Sequence, residues 1–201
     1  MGSTPERLFA RDNRLLFTEA LAGTAPVSNN PSENDERANW LLNDEKNLNE
    51  NWLVVEDISQ NLSYLVEQIT VDDVALKPLR KVQHLIRKMQ AKLTALCTDA
   101  DLLKAIHPTA AVSGLPQQQA KKALAEIETF DRRWYAGTLG MMSQHLSEFC
   151  VTIRSAFIEE NRVRVFAGAG IVEGSQPVEE WLEIERKAAG LISLFAENNG
   201  E

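Results

Sequence analysis

Apolar and polar positions along the chain change period several times, and each change marks a predicted element. Gly2-Ser3-Thr4-Pro5-Glu6 is turn chemistry, after which Arg7 to Phe9 opens an apolar-rich strand and Arg14 to Ala20 a second one. Asp12-Asn13 between them predicts a hairpin. Leu21-Ala22-Gly23-Thr24 reads as a tight closing turn, and Ala25 to Glu33 as a polar loop. From about Asp35 to Val66 the period becomes helical, with Trp52, Leu53, Val55, Ile58, Leu62 and Leu65 on its later apolar positions. The pattern leaves open whether this is one helix or two. Asp72-Asp73 and Lys77-Pro78 bound a connecting segment. Val82 to Leu93 fits either period, but Leu85, Met89 and Leu93 at four-residue steps favour a helix.

Further on, Asp99 to Ile106 predicts a short helix ending before His107-Pro108, because a residue preceding proline is steered away from helical backbone. Thr109 to Pro116 reads as a loop and Gln117 to Ile127 as a helix with a proline start. Three β-like runs follow, Trp134 to Met141, Glu148 to Phe157 and Arg162 to Ala167. The last two are joined by a polar hairpin turn at Glu159-Glu160-Asn161. A final helix from about Val178 to Phe195 follows Pro177 and runs into a polar tail. Strands, helices, strands and a closing helix, without βαβ alternation, predict an α+β fold with largely antiparallel sheets.

Composition narrows the picture. With 201 residues, 44% apolar and 25% charged, the chain is long enough for one domain with a real core. A net charge of -8 without a basic cluster argues against a nucleic-acid surface, which needs cations to neutralise phosphates. Cys97 and Cys150 match no metal-ligand spacing and read as buried free thiols of a reducing compartment. No apolar run approaches the ~18 residues of a membrane span, and the N-terminus lacks a signal-peptide core. The expectation is a soluble cytoplasmic protein with no membrane partner.

Candidate chemistry concentrates between Phe166 and Lys187, FAGAGIVEGSQPVEEWLEIERK. Glu180, Glu183 and Lys187 at i, i+3 and i+7 share one helix face. Carboxylates and an ammonium together suit a divalent cation and an anionic substrate. The preceding Ala167-Gly168-Ala169-Gly170, short of Cβ atoms, would let backbone N–H groups approach a carboxylate. The same spacing also describes an ordinary salt-bridged, solvated face.

Several segments, in order and covering nearly the whole chain, together resemble one family, the chorismate-utilising enzymes. They are Ser3-Thr4-Pro5-Glu6-Arg7-Leu8, Glu19-Ala20-Leu21-Ala22-Gly23-Thr24, Asn49-Glu50-Asn51-Trp52-Leu53-Val54-Val55-Glu56-Asp57 and Val82-Gln83-His84-Leu85. Pro108 to Pro116, Val151-Thr152-Ile153-Arg154-Ser155-Ala156 and Phe166 to Lys187 complete the set. Within the family the chain looks most like the isochorismate synthases of the menaquinone pathway, on Glu-Ala-Leu-Ala-Gly-Thr, Asn-Glu-Asn and Arg-Trp-Tyr-Ala-Gly. The resemblance implies antiparallel sheets packed between helical layers and Mg2+-dependent chemistry on chorismate. In that chemistry water adds at C2 of the ring and hydroxide leaves from C4.

Carried over by position, the resemblance makes Glu6 the general acid, which needs a raised pKa. Glu50 and Glu183 become the principal magnesium ligands, with Glu180 an outer ligand acting through water. Arg154 becomes the bidentate clamp on the enolpyruvyl carboxylate. Lys187 lies near the ring carboxylate, and Gly168, Ala169 and Gly170 receive a substrate carboxylate. Gly23, Thr24 and His84 line the pocket, while His107 and His145 carry no match and read as structural. One feature of the family is absent: its catalytic base is a lysine well upstream of the Ser-Pro-Glu turn. The chain thus resembles the C-terminal part of such an enzyme, and the resemblance implies a missing N-terminal half, inactivity alone, and exposed sheet edges that lower solubility.

Three relatives of the reaction compete. Anthranilate and aminodeoxychorismate synthases use ammonia, and salicylate synthase adds pyruvate elimination. Ala22 argues against the aminodeoxychorismate branch, where a lysine commonly takes that place. From another class, the chain would be a non-catalytic binding remnant holding Mg2+ and chorismate without turnover.

Overall fold

The structure is a computed structural model that describes residues 1–79 and 82–196; the expected polar tail lies outside the described residues. Strands β1 (Arg7–Asp12) and β2 (Leu15–Pro26) form the expected hairpin, with Asn13 in the left-handed region that a tight turn needs. Two helices follow, α1 (Pro31–Asn43) and α2 (Glu45–Leu62). The break falls at Asp44, whose extended backbone ends α1 while its carboxylate accepts the Asn47 N–H and caps α2. Then come β3 (Val66–Val71), β4 (Ala75–Pro78) and β5 (Val82–Leu93). Helices α3 (Asp99–Ile106), α4 (Ala110–Ser113) and α5 (Gln117–Ile127) precede β6 (Thr138–Met142) and β7 (Leu146–Val151). A hairpin of β8 (Ser155–Glu159) and β9 (Arg162–Phe166) leads to α6 (Pro177–Ala196).

Seven strands build one sheet in the order β3-β5-β2-β1-β7-β6, with β4 also paired to β5; β8 and β9 form a separate two-stranded sheet. Every pairing is antiparallel. The α+β expectation therefore holds. Helix α2 lays Val54, Val55, Ile58 and Leu62 against Leu8, Phe9, Leu16, Ala20, Met89 and Leu93 of the sheet, and α3 closes the cluster with Leu102 and Ile106. Each fully buried side chain of this size contributes about 1.5–3 kcal/mol, so the α2–sheet seam fixes where Glu50 of that helix sits.

Several local readings are corrected. Val82–Leu93 is a central strand rather than a helix. Steps of four are also multiples of two, so Leu85, Met89 and Leu93 share a strand face as readily as a helix face, and all three are buried. Pairing with β2, β3 and β4 decides in favour of the strand, and the supposed connecting segment supplies one of these partners, β4. The Leu21–Thr24 turn is instead a bulge inside β2, where the register against β5 shifts, and β2 continues to Pro26. The Glu148–Phe157 run is two strands in different sheets, broken at Thr152–Arg154. The Thr109–Pro116 loop contains the single turn α4, and the Trp134 end of its run precedes β6 as a turn. Cys97 and Cys150 are free but only half-buried.

Gly23 sits in the bulge at φ +83, and a Cβ there would lie 3.1 Å from the Asn47 Cβ and 3.2 Å from both the Asn47 carbonyl and a Leu85 methyl. Helix α2 can approach β2 this closely only because the residue is glycine. Gly23→Ala is expected to cost about 1–3 kcal/mol in urea unfolding; an unchanged midpoint would show that α2 does not depend on this approach. On the far side of the sheet β6 is paired only to β7 among the described residues, and Leu139, Met141 and Met142 are exposed. Such an apolar edge favours self-association. No helix of the described residues is long and apolar enough to cross a membrane.

Candidate active site

The segment before β1 runs extended along the hairpin of β8 and β9. Ser3 N–H donates to the Arg154 carbonyl and the terminal ammonium of Met1 to the Ala156 carbonyl. This delivers Glu6 to the interior, where it is 7% exposed. Burial first, and the charge of Glu19 second, push its carboxyl up to about 7 against the opposing pull of Lys187, Lys77 and Arg154. At neutral pH a large fraction of Glu6 carries a proton.

Arg154 occupies the break between β7 and β8 in the left-handed region, φ 46, uncommon for a side chain of this size. That backbone turn lets the chain pass from the large sheet to the hairpin. The guanidinium donates to His84 Nε2 at 2.8 Å, and His84 Nδ1 lies 3.0 Å from the Thr24 hydroxyl. Because the arginine has only donors, Nε2 accepts and the ring proton resides on Nδ1. Burial, then the charges of Lys187 and Arg154, hold the His84 pKa down to about 3. Thr24, His84 and Arg154 thus form a neutral relay from β2 through β5 to a cationic fork. The Thr24 N–H is in turn held by the Asn47 side chain of α2, 3.2 Å away.

Helices α2 and α6 face each other across a cluster of charges. Glu50 is pushed up to about 7 by burial and then by the neighbouring Glu183, with Glu180 adding and Lys187 and Lys46 opposing. Glu183 pairs with Lys187 at 2.6 Å, and the buried Glu180 with Lys46 at 2.6 Å. Lys187 also donates to the Gly168 carbonyl at 3.1 Å, tying α6 to the segment after β9. A Cβ on Gly170 would stand 2.9 Å from Glu50 Oε1, and one on Gly168 3.0 Å from the Tyr135 hydroxyl. Backbone therefore approaches a carboxylate directly, with Ala169 between the two glycines. Gly170→Ala is expected to displace the Glu50 carboxylate and, if that group holds a cation, to weaken apparent Mg2+ affinity by about ten- to a hundredfold in calorimetric titration.

All the sequence-predicted residues fall in this region: Glu6, the Gly23-Thr24 bulge, His84, Arg154, the glycine segment, and the Glu50, Glu180, Glu183 and Lys187 group. His107 and His145 bond to the Ala136 carbonyl and the Asn13 side chain and stay outside it. Among the described residues no three His, Cys, Asp or Glu side chains converge closely enough to hold a metal ion; Glu183 presses on Glu50 most strongly, and Glu180 less. The sequence reading missed Lys46, although its i,i+4 relation to Glu50 was available. It also missed a role for Asn51, whose amide donates to the carbonyls of Ala20, Ala22 and Leu85 while its oxygen accepts from Arg87. That fully buried side chain locks α2 to β2 and β5. Cavities of about 590 Å3, lined by Glu6, Glu19 and Lys77, and about 440 Å3, lined by Tyr135 and Arg132, flank the cluster.

Residues 1–196 match the family model of the chorismate binding enzymes. The chain is 76% identical over 197 residues to isochorismate synthase MenF of Haemophilus influenzae, covering 98% of this chain and 46% of that protein. The solved structure of MenF, the menaquinone-specific isochorismate synthase of Escherichia coli, superimposes with a TM-score of 0.89 at 48% identity, over 96% of this chain and 45% of the other. Anthranilate synthase component I of Streptococcus pneumoniae gives 0.82 at 30% identity, over 95% and 43%. The chain spans about half the length of the relatives it matches.

Proposed function

The chain belongs to the chorismate-binding enzyme family, and from that premise we propose that it is the acid-, cation- and carboxylate-binding part of an isochorismate synthase. The observation that carries the reading is the convergence of a proton-bearing Glu6, a paired Glu50 and Glu183, and the Thr24–His84–Arg154 relay in one region. The two MenF isochorismate synthases, at 76% and 48% identity, lie well above the anthranilate synthase component at 30%, which supports water rather than ammonia as the nucleophile. On the same reading the reaction runs in the cytoplasm and serves menaquinone formation.

The donor set fits a magnesium ion. Glu50 and Glu183 are hard carboxylates from facing helices, and their mutual repulsion is what a divalent cation would neutralise. Mg2+ commonly takes only one or two protein carboxylates and keeps water and substrate oxygen in its shell. When bound there it would supply Lewis-acid charge for the ring carboxylate of chorismate.

The chain's own groups then have distinct tasks. Arg154 offers a planar fork to the enolpyruvyl carboxylate, held in direction by the neutral His84, which cannot compete as a second cation. The Gly168–Gly170 backbone and Lys187 neutralise and orient carboxylate. Glu6 donates its proton to the C4 hydroxyl, which departs as water while the ring double bonds shift; Glu6 is left as a carboxylate. The addition at C2 needs a base to take a proton from the attacking water. Lys46, Lys77 and Lys187 are committed to Glu180, Glu19 and Glu183, so we assign the base to no residue of this chain.

The products distinguish this reading from salicylate formation. A full-length protein containing this sequence is expected to convert chorismate to isochorismate without releasing pyruvate. Stoichiometric pyruvate would overturn the assignment in favour of salicylate synthesis.

A further inference from the structure

Glu6 is flanked by two peptide groups, and one ion pair holds both. Lys77 of β4 donates to the Pro5 carbonyl at 2.7 Å and to Glu19 Oε1 of β2 at 2.5 Å. The same Glu19 Oε1 accepts the Arg7 N–H at 3.4 Å. The peptide entering Glu6 and the peptide leaving it are therefore tied to a single pair, of which the Glu19 side chain is 9% exposed. Two further bonds complete the hold: Glu6 N–H donates to the Thr4 hydroxyl at 3.3 Å, and the Glu6 carbonyl accepts Val151 N–H at 3.1 Å. This pair lines the same cavity as Glu6.

We propose that Glu19 and Lys77 are positioning residues that clamp the Glu6 backbone and keep its carboxyl turned into the dry interior. The role rests on the reading of Glu6 as the proton donor. A carboxyl on an extended segment outside the sheet would otherwise swing toward the cavity and ionise as an ordinary glutamate. The charges facing Glu6 come from three elements and one connection: Glu19 on β2, Lys77 on β4, Lys187 on α6 and Arg154 between β7 and β8, with the Tyr135 hydroxyl also within electrostatic reach. Glu19 and Lys77 act on Glu6 with opposite electrostatic sign, whereas the hydrogen bonds they make hold the two flanking peptides in the same place.

That opposition makes the proposal testable. If the pair acted through charge alone, Glu19→Ala would lower the Glu6 pKa and Lys77→Met would raise it. If the pair is a clamp, both substitutions admit water and both lower it. The experiment is a 13C NMR titration of the Glu6 carboxyl in the 201-residue chain, with folding checked by circular dichroism. Both variants are expected to move the midpoint down by about one unit or more, and Lys77→Arg, which retains the donors, to hold it near the parent value. A rise in Lys77→Met, or no change in either variant, would overturn the clamp.

Should Lys77→Met fail to fold, hydrogen exchange at the Arg7 amide in Glu19→Ala decides the matter. Loss of the clamp is expected to accelerate it about tenfold or more, and an unchanged rate would overturn the proposal. In a protein competent for turnover, the alkaline limit of the pH profile is expected to fall with the Glu6 midpoint. The titration needs no chorismate, so a failure of the functional reading would leave it intact.

Discussion

Glu6→Gln is expected to lower chorismate turnover by about 10²–10⁴-fold, the range of a lost general acid, while making the fold more stable at alkaline pH. Both effects come from the same burial. The Glu6 carboxyl titrates at about 7 in the fold against an ordinary value of 4.5. Stability associated with its neutral form is fully present below 4.5, where the unfolded chain is protonated too. As pH rises the unfolded chain ionises first, and that stability is lost progressively until about 7. Glutamine stays neutral and keeps it. The variant is therefore expected to exceed the parent by on the order of 2–3 kcal/mol at pH ~8 and to match it near pH ~4. Urea unfolding at the two pH values checks this; a variant less stable than the parent at the higher pH would mean that Glu6 is ionised and compensated in the fold. In turnover the parent is expected to lose activity above about 7, as the acid form disappears.

The second large effect concerns the facing carboxylates. Glu183→Gln removes one of the two charges that would hold Mg2+ between α2 and α6, and turnover of a competent protein is expected to fall by about 10³-fold or more. Calorimetric Mg2+ binding should disappear with it. The substitution also takes away the charge that helps keep Glu50 protonated, so the Glu50 pKa is expected to fall. Lys187 loses its partner at the same time, leaving a cation near Glu50. Retention of Mg2+ affinity in Glu183→Gln would show that the cation, if bound, sits elsewhere.

The antiparallel α+β architecture was legible in the order of elements; Asp99–Ile106 and Gln117–Ile127 came through with their boundaries, and the final helix to within a residue at each end. Their signals are local: a Thr98 capping box, a proline start, and apolar residues at helical spacing. Val82–Leu93 failed because its spacing satisfies both periods and only its three strand partners choose between them. Gly23 misled in the other direction, since a glycine inside a strand can mark a bulge as well as a turn.

The site divides along the same line. Glu180, Glu183 and Lys187 could be placed together from helix geometry alone. Their relation to Glu50 could not, because it depends on α6 docking across from α2. Lys46 illustrates the limit: its sequence neighbour at i+4 is Glu50, yet its ion pair is with Glu180, 134 residues away. Glu19 and Lys77, 58 residues apart, converge on Glu6 only through the sheet order, which no local pattern encodes. Glu6, Arg154 and His84 came from resemblance to a family, and composition or periodicity would have left them as a turn residue, a strand residue and a structural histidine.

The proposal's central claim is that this chain carries the acid, the cation carboxylates and the carboxylate clamp, and that none of its own residues activates the water. The direct test is chorismate turnover with Mg2+, read as isochorismate, on the purified chain alone and together with a separately expressed remainder of a full-length relative. No turnover alone and recovery on mixing is the expected result. Turnover by the chain alone that disappears in Glu183→Gln would contradict it, because one of these residues would then have to activate the water.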